Sequence, residues 1–571
     1  MRTRCLQPNR LITPRTARDR VVLRCAVATA LCYGASAWAA PSCSDMASLS
    51  LPNTYITLAQ SYAAGQTVSG NVTAPVDLCR VAGTVRPGAQ SNINFEVWIP
   101  NAWNGKYQQV GNGGFAGSIP LAAIANATSR GYATAGTDDG TSGSPPAVPR
   151  GAPAFIGNPD VLLDYGYRAI KATTDDSKAI IAALTGQAPD YSYFVGCSDG
   201  GREALQEAQR FPADFDGIIV GSPVNDQVGE FASSYLYDMQ ATLGGPQTNG
   251  VPDAYIPASK LPLLTNAVLA ECAGRDGGVE TDGFLSDPRE CSFDPGVVQC
   301  KRGQDPDTCL TPAQVKAARK LYAGPHDHGI LLFPGLEPGG EATAGGWVNW
   351  ITGNSPASPG SQYGLGYGFG CNLMHGLMSC DYLDIDLVQQ DDAARQIFQP
   401  ILSSVNPDLR AFKAHGGKMI QYAGWADAAI PPENGLNYYR AVTREMGNPS
   451  DFYRVFMVPG MAHCSGGAGP NAFGNGTSNG PVIDADHDLV KALERWVEQG
   501  VAPERIVATH YVNNVPAQGV AFQRPLCPYP QRGEYRGEGD PDDAANFACV
   551  AHHDPFDPRN IGPQRAYKPG R

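Results

Sequence analysis

The chain has 571 residues, of which 42% are hydrophobic and 17% charged, and its formal net charge is -13. A chain of this size can bury a large core but exceeds one ordinary compact domain. We therefore expect two domains, or one core with a large insertion. The acidic balance argues against nucleic acid and anionic membranes as partners.

The first 40 residues have the pattern of a secretory signal peptide. Arginines precede a short apolar run, CAVATALCYGASAWAA, that ends in small residues. A membrane anchor is the alternative, but the run is shorter than the roughly 20 apolar residues that span a bilayer. We therefore predict cleavage near residues 39–41 and a secreted or periplasmic protein without membrane association.

The cysteine count agrees with export. Twelve of the 15 cysteines lie beyond residue 40, and an even number in an exported chain favours up to six disulfides. No C-x-x-C pair occurs, which argues against a structural zinc site.

The predicted elements alternate between strand and helix up to residue 220. In chain order they are the strands NINFEVWIP and KYQQV, the helix LLDYGYRAIKATTDDSKAIIAALTG, the strand YSYFVG, the helix REALQEAQRFP and the strand GIIVGSP. Such alternation is typical of a parallel sheet with helices on both faces. Residues 41–220 are thus the predicted first part of an α/β core.

An irregular insertion follows, and the alternation then returns. From 221 to 405 strong strands vanish while glycine, proline and six cysteines accumulate, which indicates a disulfide-containing insertion. From 406 to 571 the chain predicts a strand, a helix, a strand, a helix and a polar tail, the first four being KMIQYAG, PENGLNYYRAVTREMG, YRVFMVPG and DHDLVKALERWVEQG. This stretch is the predicted second part of the core.

The stretch GCSDGG, between a predicted strand and a predicted helix, contains a candidate nucleophile, Ser198. G-x-S-x-G in that context is the nucleophile elbow of the α/β-hydrolase fold, in which glycines permit a sharp turn that exposes the serine. A serine needs a histidine to take its proton and a carboxylate to orient that histidine. Asp427 and His463 follow later predicted strands, in the order that this fold requires.

These assignments have simpler alternatives. An aspartate after a strand is often a turn residue or a helix cap, and a lone histidine is often only a structural hydrogen-bonding group. Cys197 and Cys464 flank the serine and the histidine, so a bridge between them would fasten base to nucleophile unless each pairs elsewhere.

The oxyanion formed by attack on an ester needs backbone donors. The N–H of Asp199, directly after the serine, is one candidate, and Gly114 in the loop GNGGFAGS is the other. A glycine-rich loop by itself is often only a turn.

With these residues together, the chain resembles the tannase and feruloyl esterase family. The blocks that carry the resemblance are VGNGGFAGS, YFVGCSDGGREALQEAQRFPADFDGIIVGSP, CLTPAQV, GGKMIQYAGWADAAIPP, VPGMAHCSGG and RPLCPYP. The resemblance implies an α/β-hydrolase fold with a lid inserted between nucleophile and acid, and the triad Ser198, Asp427 and His463. It also implies the disulfides Cys197–Cys464, Cys43–Cys79, Cys272–Cys291, Cys300–Cys309 and Cys527–Cys549, which leave Cys371–Cys380 as a sixth.

The resemblance further implies a structural calcium ion in a lid loop. In the stretch CAGRDGGVETDGFLSDPREC, Asp276 and Asp282 are the predicted side-chain ligands, and carbonyls near Gly278 and Phe284 complete the shell. Ala273 stands where the family has its first aspartate, and the alternative is a solvated acidic loop.

Together these features predict a serine esterase that acts on a small aromatic ester, with no organic cofactor. Ile430 stands where the family's mono(2-hydroxyethyl) terephthalate hydrolase has phenylalanine, and the chain has no convincing counterpart of that enzyme's lid arginine. Both departures favour hydroxycinnamate or gallate esters, with hydroxycinnamate esters first. Gallate and terephthalate monoesters are the enzymatic alternatives, and a secreted binding protein on an inactive hydrolase scaffold is the non-enzymatic one. The oligomeric state is left open.

Overall fold

The computed structural model describes residues 41–142, 155–376, 380–552 and 554. The predicted signal peptide 1–40 lies outside them. The fold is built on a nine-stranded sheet, and its strands are β1 Thr54–Tyr62, β2 Leu78–Val85, β3 Ile93–Pro100, β4 Lys106–Val110, β5 Ala133–Thr137, β6 Tyr191–Cys197, β7 Gly217–Gly221, β8 Lys418–Gly424 and β9 Tyr453–Val458.

The strand order across the sheet is β1-β2-β3-β5-β4-β6-β7-β8-β9. Neighbours from β5 to β9 in that order are parallel, and the three pairings among β1, β2, β3 and β5 are antiparallel. The central strands β6, β7 and β8 are buried along nearly their whole length, as near-continuous apolar runs in parallel sheets are. The fold is therefore the predicted α/β-hydrolase type, with a mixed rather than a wholly parallel sheet.

Helices cover both faces of the parallel part. The helices of eight or more residues, with two shorter ones, are α1 Leu121–Ser129, α2 Ala169–Thr185, α3 Asp199–Arg210, α4 Tyr235–Leu243, α5 Leu261–Cys272, α6 Pro312–Ala323, α7 Ser361–Tyr367, α8 Leu387–Leu402, α9 Arg410–His415, α10 Pro432–Met446 and α11 Leu489–Gln499. The helices that cover the sheet pack on it through apolar faces. In α11, for example, one face carries the buried side chains of Leu489, Leu493 and Trp496, which pack against the sheet. Among the described residues, no helix is long and apolar enough to cross a membrane.

The segment between β7 and β8 contains helices α4 to α9 and, in its described residues, no strand longer than two residues. Three disulfides close loops inside it, and all six disulfides of the structure have the pairing that the resemblance implies. This segment corresponds to the predicted lid, whose boundaries at 221 and 405 stay a prediction.

The C-terminal region differs from the predicted polar tail. It forms two antiparallel strand pairs, β10 Ile506–Tyr511 with β11 Val520–Leu526 and β12 Gln531–Tyr535 with β13 Phe547–Ala551. Strand β12 is polar and only partly buried, and β13 is apolar but short, with only Phe547 fully buried, so neither has the longer buried apolar run that reveals the core strands.

Candidate active site

Ser198 lies in a sharp turn between β6 and α3. Its φ and ψ are 66° and -122°, a conformation that a non-glycine residue rarely adopts. The flanking glycines make this turn possible, since a Cβ on Gly196 would lie 2.2 Å from the carbonyl oxygen of Gly200, and one on Gly201 2.4 Å from that of Gly221. The turn is therefore as tight as a nucleophile elbow requires.

Asp427 and His463 lie in the loops that follow β8 and β9, and they are paired. Nδ1 of His463 is 2.9 Å from Oδ2 of Asp427, whose side chain is fully buried. The other oxygen, Oδ1, accepts hydrogen bonds of 2.9 Å from the amides of Ala429 and Ile430. The carboxylate is held on both sides, so it fixes the plane and the tautomer of the imidazole and leaves Nε2 as the free base.

A disulfide joins the serine strand to the histidine loop. Cys197 and Cys464 are bridged with a Cα–Cα distance of 5.9 Å. The carbonyl of Cys464 accepts hydrogen bonds from Nδ2 of Asn475 and Oγ1 of Thr477, at 3.1 and 3.0 Å. The position of His463 is thus set by the disulfide of its neighbour Cys464 and by hydrogen bonds from the loop that carries Asn475 and Thr477. The sequence did not indicate the contact with this second loop.

The glycine-rich loop after β4 packs against the start of α3. The amide of Gly200 donates to the carbonyl of Asn112 at 2.9 Å, and the hydroxyl of Tyr165 lies 2.9 Å from the carbonyl of Gly114 and 3.0 Å from Oδ1 of Asp199. Tyr165 thereby bridges the two residues predicted to form the oxyanion hole. Among the described residues, no protein acceptor is paired with the amide of Gly114 or of Asp199.

Beneath this loop lies a buried acidic cluster. Glu203 Oε2 accepts from the amide of Asn112 at 3.0 Å, and Asp139 Oδ1 accepts from the Asn112 side chain at 2.9 Å. Burial raises the pKa of Asp139, and it raises that of Glu203 to about 7. The buried Arg202 pairs with Asp199 at 2.5 Å within α3, and the contact of Asn112 with Glu203 anchors the glycine-rich loop to this helix.

A cavity of about 360 Å³ opens at these residues and is lined by Ser198, His463 and Gly114. From the lid, Trp350 reaches it and meets the His463 ring edge to face, with centroids 5.0 Å apart. Three other lid aromatics, Trp347, Tyr367 and Phe369, are buried and do not line this cavity.

The predicted calcium loop is organised by other contacts. Asp276 accepts hydrogen bonds from the amides of Gly278, Ser286 and Asp287. Oδ1 of Asp282 is 2.7 Å from the guanidinium of Arg524, and the two side chains are only 9% and 5% exposed.

The side chain of Phe284, the fourth predicted ligand residue, is buried and stacks on Phe522. Calcium needs six to eight oxygen ligands. A buried guanidinium on Asp282, one of the two predicted side-chain ligands, opposes a second cation beside it, because like charges repel strongly where water is excluded. The loop as arranged around Asp276, Gly278, Asp282 and Phe284 therefore does not fit a calcium ion.

We expect an excess of EDTA to leave the Tm unchanged, because the guanidinium of Arg524 already neutralises the carboxylate of Asp282. Thermal unfolding with EDTA and with added calcium chloride measures this, and magnesium chloride is the control for ionic strength. A Tm that falls with EDTA and recovers with calcium alone would contradict the prediction.

The strand order of the sheet, the helical segment inserted between β7 and β8 and the elbow turn at Ser198 together define the class of protein, which is an α/β-hydrolase. Comparison with known proteins gives the family: residues 79–550 match the family described as tannase and feruloyl esterase, so the chain belongs to this family of carboxylic ester hydrolases.

Three relatives show the breadth of the match. An uncharacterized esterase of Xanthomonas campestris pv. campestris is 41% identical, over 93% of this chain and 95% of its own. A probable feruloyl esterase B-2 of Aspergillus terreus is 30% identical, over 87% and 90%. The crystal structure of feruloyl esterase B from Aspergillus oryzae superposes with a TM-score of 0.79 at 28% identity, over 89% and 99%.

Proposed function

We propose that the protein is a serine esterase that hydrolyses hydroxycinnamate esters, feruloyl esters above all, through Ser198, His463 and Asp427. The observation that carries the proposal is that His463, paired with the buried Asp427, lines one cavity together with a serine held in an elbow turn. Relatives described as probable feruloyl esterases support the choice of acyl group.

In the proposed mechanism, Nε2 of His463 takes the proton of Ser198 while the serine oxygen attacks the ester carbonyl. Asp427 stabilises the imidazolium, and the amides of Gly114 and Asp199 hold the oxyanion. The imidazolium then protonates the leaving alcohol. Water, activated by the same histidine, releases the acid from the acyl-enzyme.

Gallate and terephthalate monoesters are the competing substrates. Ile430 does not line the cavity beside Ser198. It packs instead in a buried hydrophobic cluster that includes Phe231 and Phe369. The test is kcat/KM for methyl ferulate, methyl gallate and mono(2-hydroxyethyl) terephthalate with the mature protein. Methyl ferulate is expected to be the best substrate, and a preference for either of the others would replace this assignment.

We also propose that the mature protein works outside the cytoplasm. The predicted signal peptide and the six disulfides support export, because such bridges persist in oxidising compartments. The mass of the protein recovered from the producing cells tests this, with cleavage near residues 39–41 as the expected result.

A further inference from the structure

The cavity beside Ser198 has a polar end that the proposed mechanism does not use. Strand β4 supplies part of it through its alternating side chains. Tyr107 and Gln109 share one face, where the tyrosine hydroxyl lies 2.6 Å from Oε1 of Gln109. Gln108 and Val110 project to the other face and line the cavity together.

Two buried polar atoms in this wall have no hydrogen-bond partner among the described residues. Gln108 is only 4% exposed, and its carboxamide oxygen makes no hydrogen bond within the described residues. Arg130, which follows α1, has a side chain 9% exposed, and its Nε is likewise without an acceptor there. An unsatisfied buried group costs about 1–3 kcal/mol, so an acceptor and a donor left open in one cavity wall indicate a ligand.

The wall of this cavity also has an aliphatic part. Val110, Ala127, Val195 and Val490 contribute aliphatic side chains to its walls. Small-molecule sites have this composition, in which apolar walls bind the body of the ligand and a few polar groups select its substituents. A cavity of about 360 Å³ accommodates one substituted aromatic ring with a short linker.

The charge at the polar end favours a neutral group. Nη2 of Arg130 is 2.8 Å from Oδ1 of Asp488, which is buried at the start of α11. The carboxylate offsets the positive charge of the guanidinium, so a second carboxylate from a ligand would meet Asp488 with little net attraction. A hydroxyl has no such conflict, since it can donate to Gln108 and accept from Arg130.

We propose that Gln108 and Arg130 form an acyl subsite that selects a ring hydroxyl, as in 4-hydroxycinnamate esters. The phenolic O–H donates to Oε1 of Gln108, and its oxygen accepts from Nε–H of Arg130. This inference rests on the proposed function, and it makes the two residues specificity determinants of the same site.

The test compares methyl 4-hydroxycinnamate with methyl cinnamate, which lacks only the hydroxyl. Wild-type protein is expected to prefer the hydroxylated ester. Gln108→Leu is expected to lower that preference by about tenfold, the effect of one lost hydrogen bond. Gln108→Met serves the same purpose if the leucine variant does not fold.

Gln421→Leu is the matched control, because Gln421 is a buried glutamine of the central strand β8 that does not line the cavity. Its preference is expected to equal that of the wild type. If the wild type hydrolyses the two esters at equal rates, and Gln108→Leu does so too, the subsite is overturned while the esterase assignment stands. Hydrolysis of neither ester by the wild type would overturn the proposed function itself.

Discussion

Replacing Ser198 by alanine is expected to lower kcat/KM for methyl ferulate by at least about 10⁴-fold. The reason is that the proposed reaction passes through an acyl-enzyme on this oxygen, and loss of the nucleophile leaves only binding and oxyanion stabilisation. The Tm and the inhibition constant of free ferulate should change little, because only one oxygen is removed. Initial rates, thermal unfolding and product inhibition measure the three quantities.

Ser222→Ala is the matched control for this experiment. Ser222 is a buried serine directly after the neighbouring strand β7, and its hydroxyl has no partner among the described residues. Its alanine variant is expected to keep wild-type activity. If Ser198→Ala retains more than a tenth of the activity, Ser198 is not the nucleophile.

The sequence predicted the parts of the fold that follow simple physical rules. Strands β6, β7 and β8 are buried on both faces, so they appear in the sequence as apolar runs followed by turn residues. Ser198 follows β6, Asp427 follows β8 and His463 follows the neighbouring, largely buried β9, and parallel strands place their carboxyl ends at one edge of the sheet. Order along the chain was therefore enough to predict that the three residues lie together.

Other features depend on contacts that no local pattern records. Strand β1 alternates irregularly because a bulge interrupts its pairing with β2, and its residues are at most half-buried. The pairing of Arg524 with Asp282 joins residues 242 positions apart, so no local pattern in the loop indicates it. Gln108 has the sequence context of an ordinary strand residue, and only the cavity shows that its carboxamide is unpaired.

Replacing Asp427 by asparagine is expected to lower kcat by about 10³- to 10⁴-fold with little change in KM. The asparagine oxygen can still accept from the amides of Ala429 and Ile430, so the loop should keep its conformation. Its NH₂ group would then face Nδ1 of His463, and two donors cannot pair there. The imidazole would carry its proton on Nε2, in the tautomer that cannot accept a proton from Ser198.

The Tm separates this electronic effect from unfolding. Asp427→Ala leaves the two buried amides without an acceptor and is expected to cost about 1–3 kcal/mol of stability, whereas the asparagine variant should unfold at a temperature close to that of the wild type.

Asp138→Asn is the control, since Asp138 is a buried aspartate after β5 that pairs with Asn94 and does not line the cavity. Its activity is expected to stay near that of the wild type. If the Asp427→Asn variant keeps both the Tm and the kcat of the wild type, a group other than Asp427 orients His463. Control of the histidine tautomer by Asp427 does not allow that result.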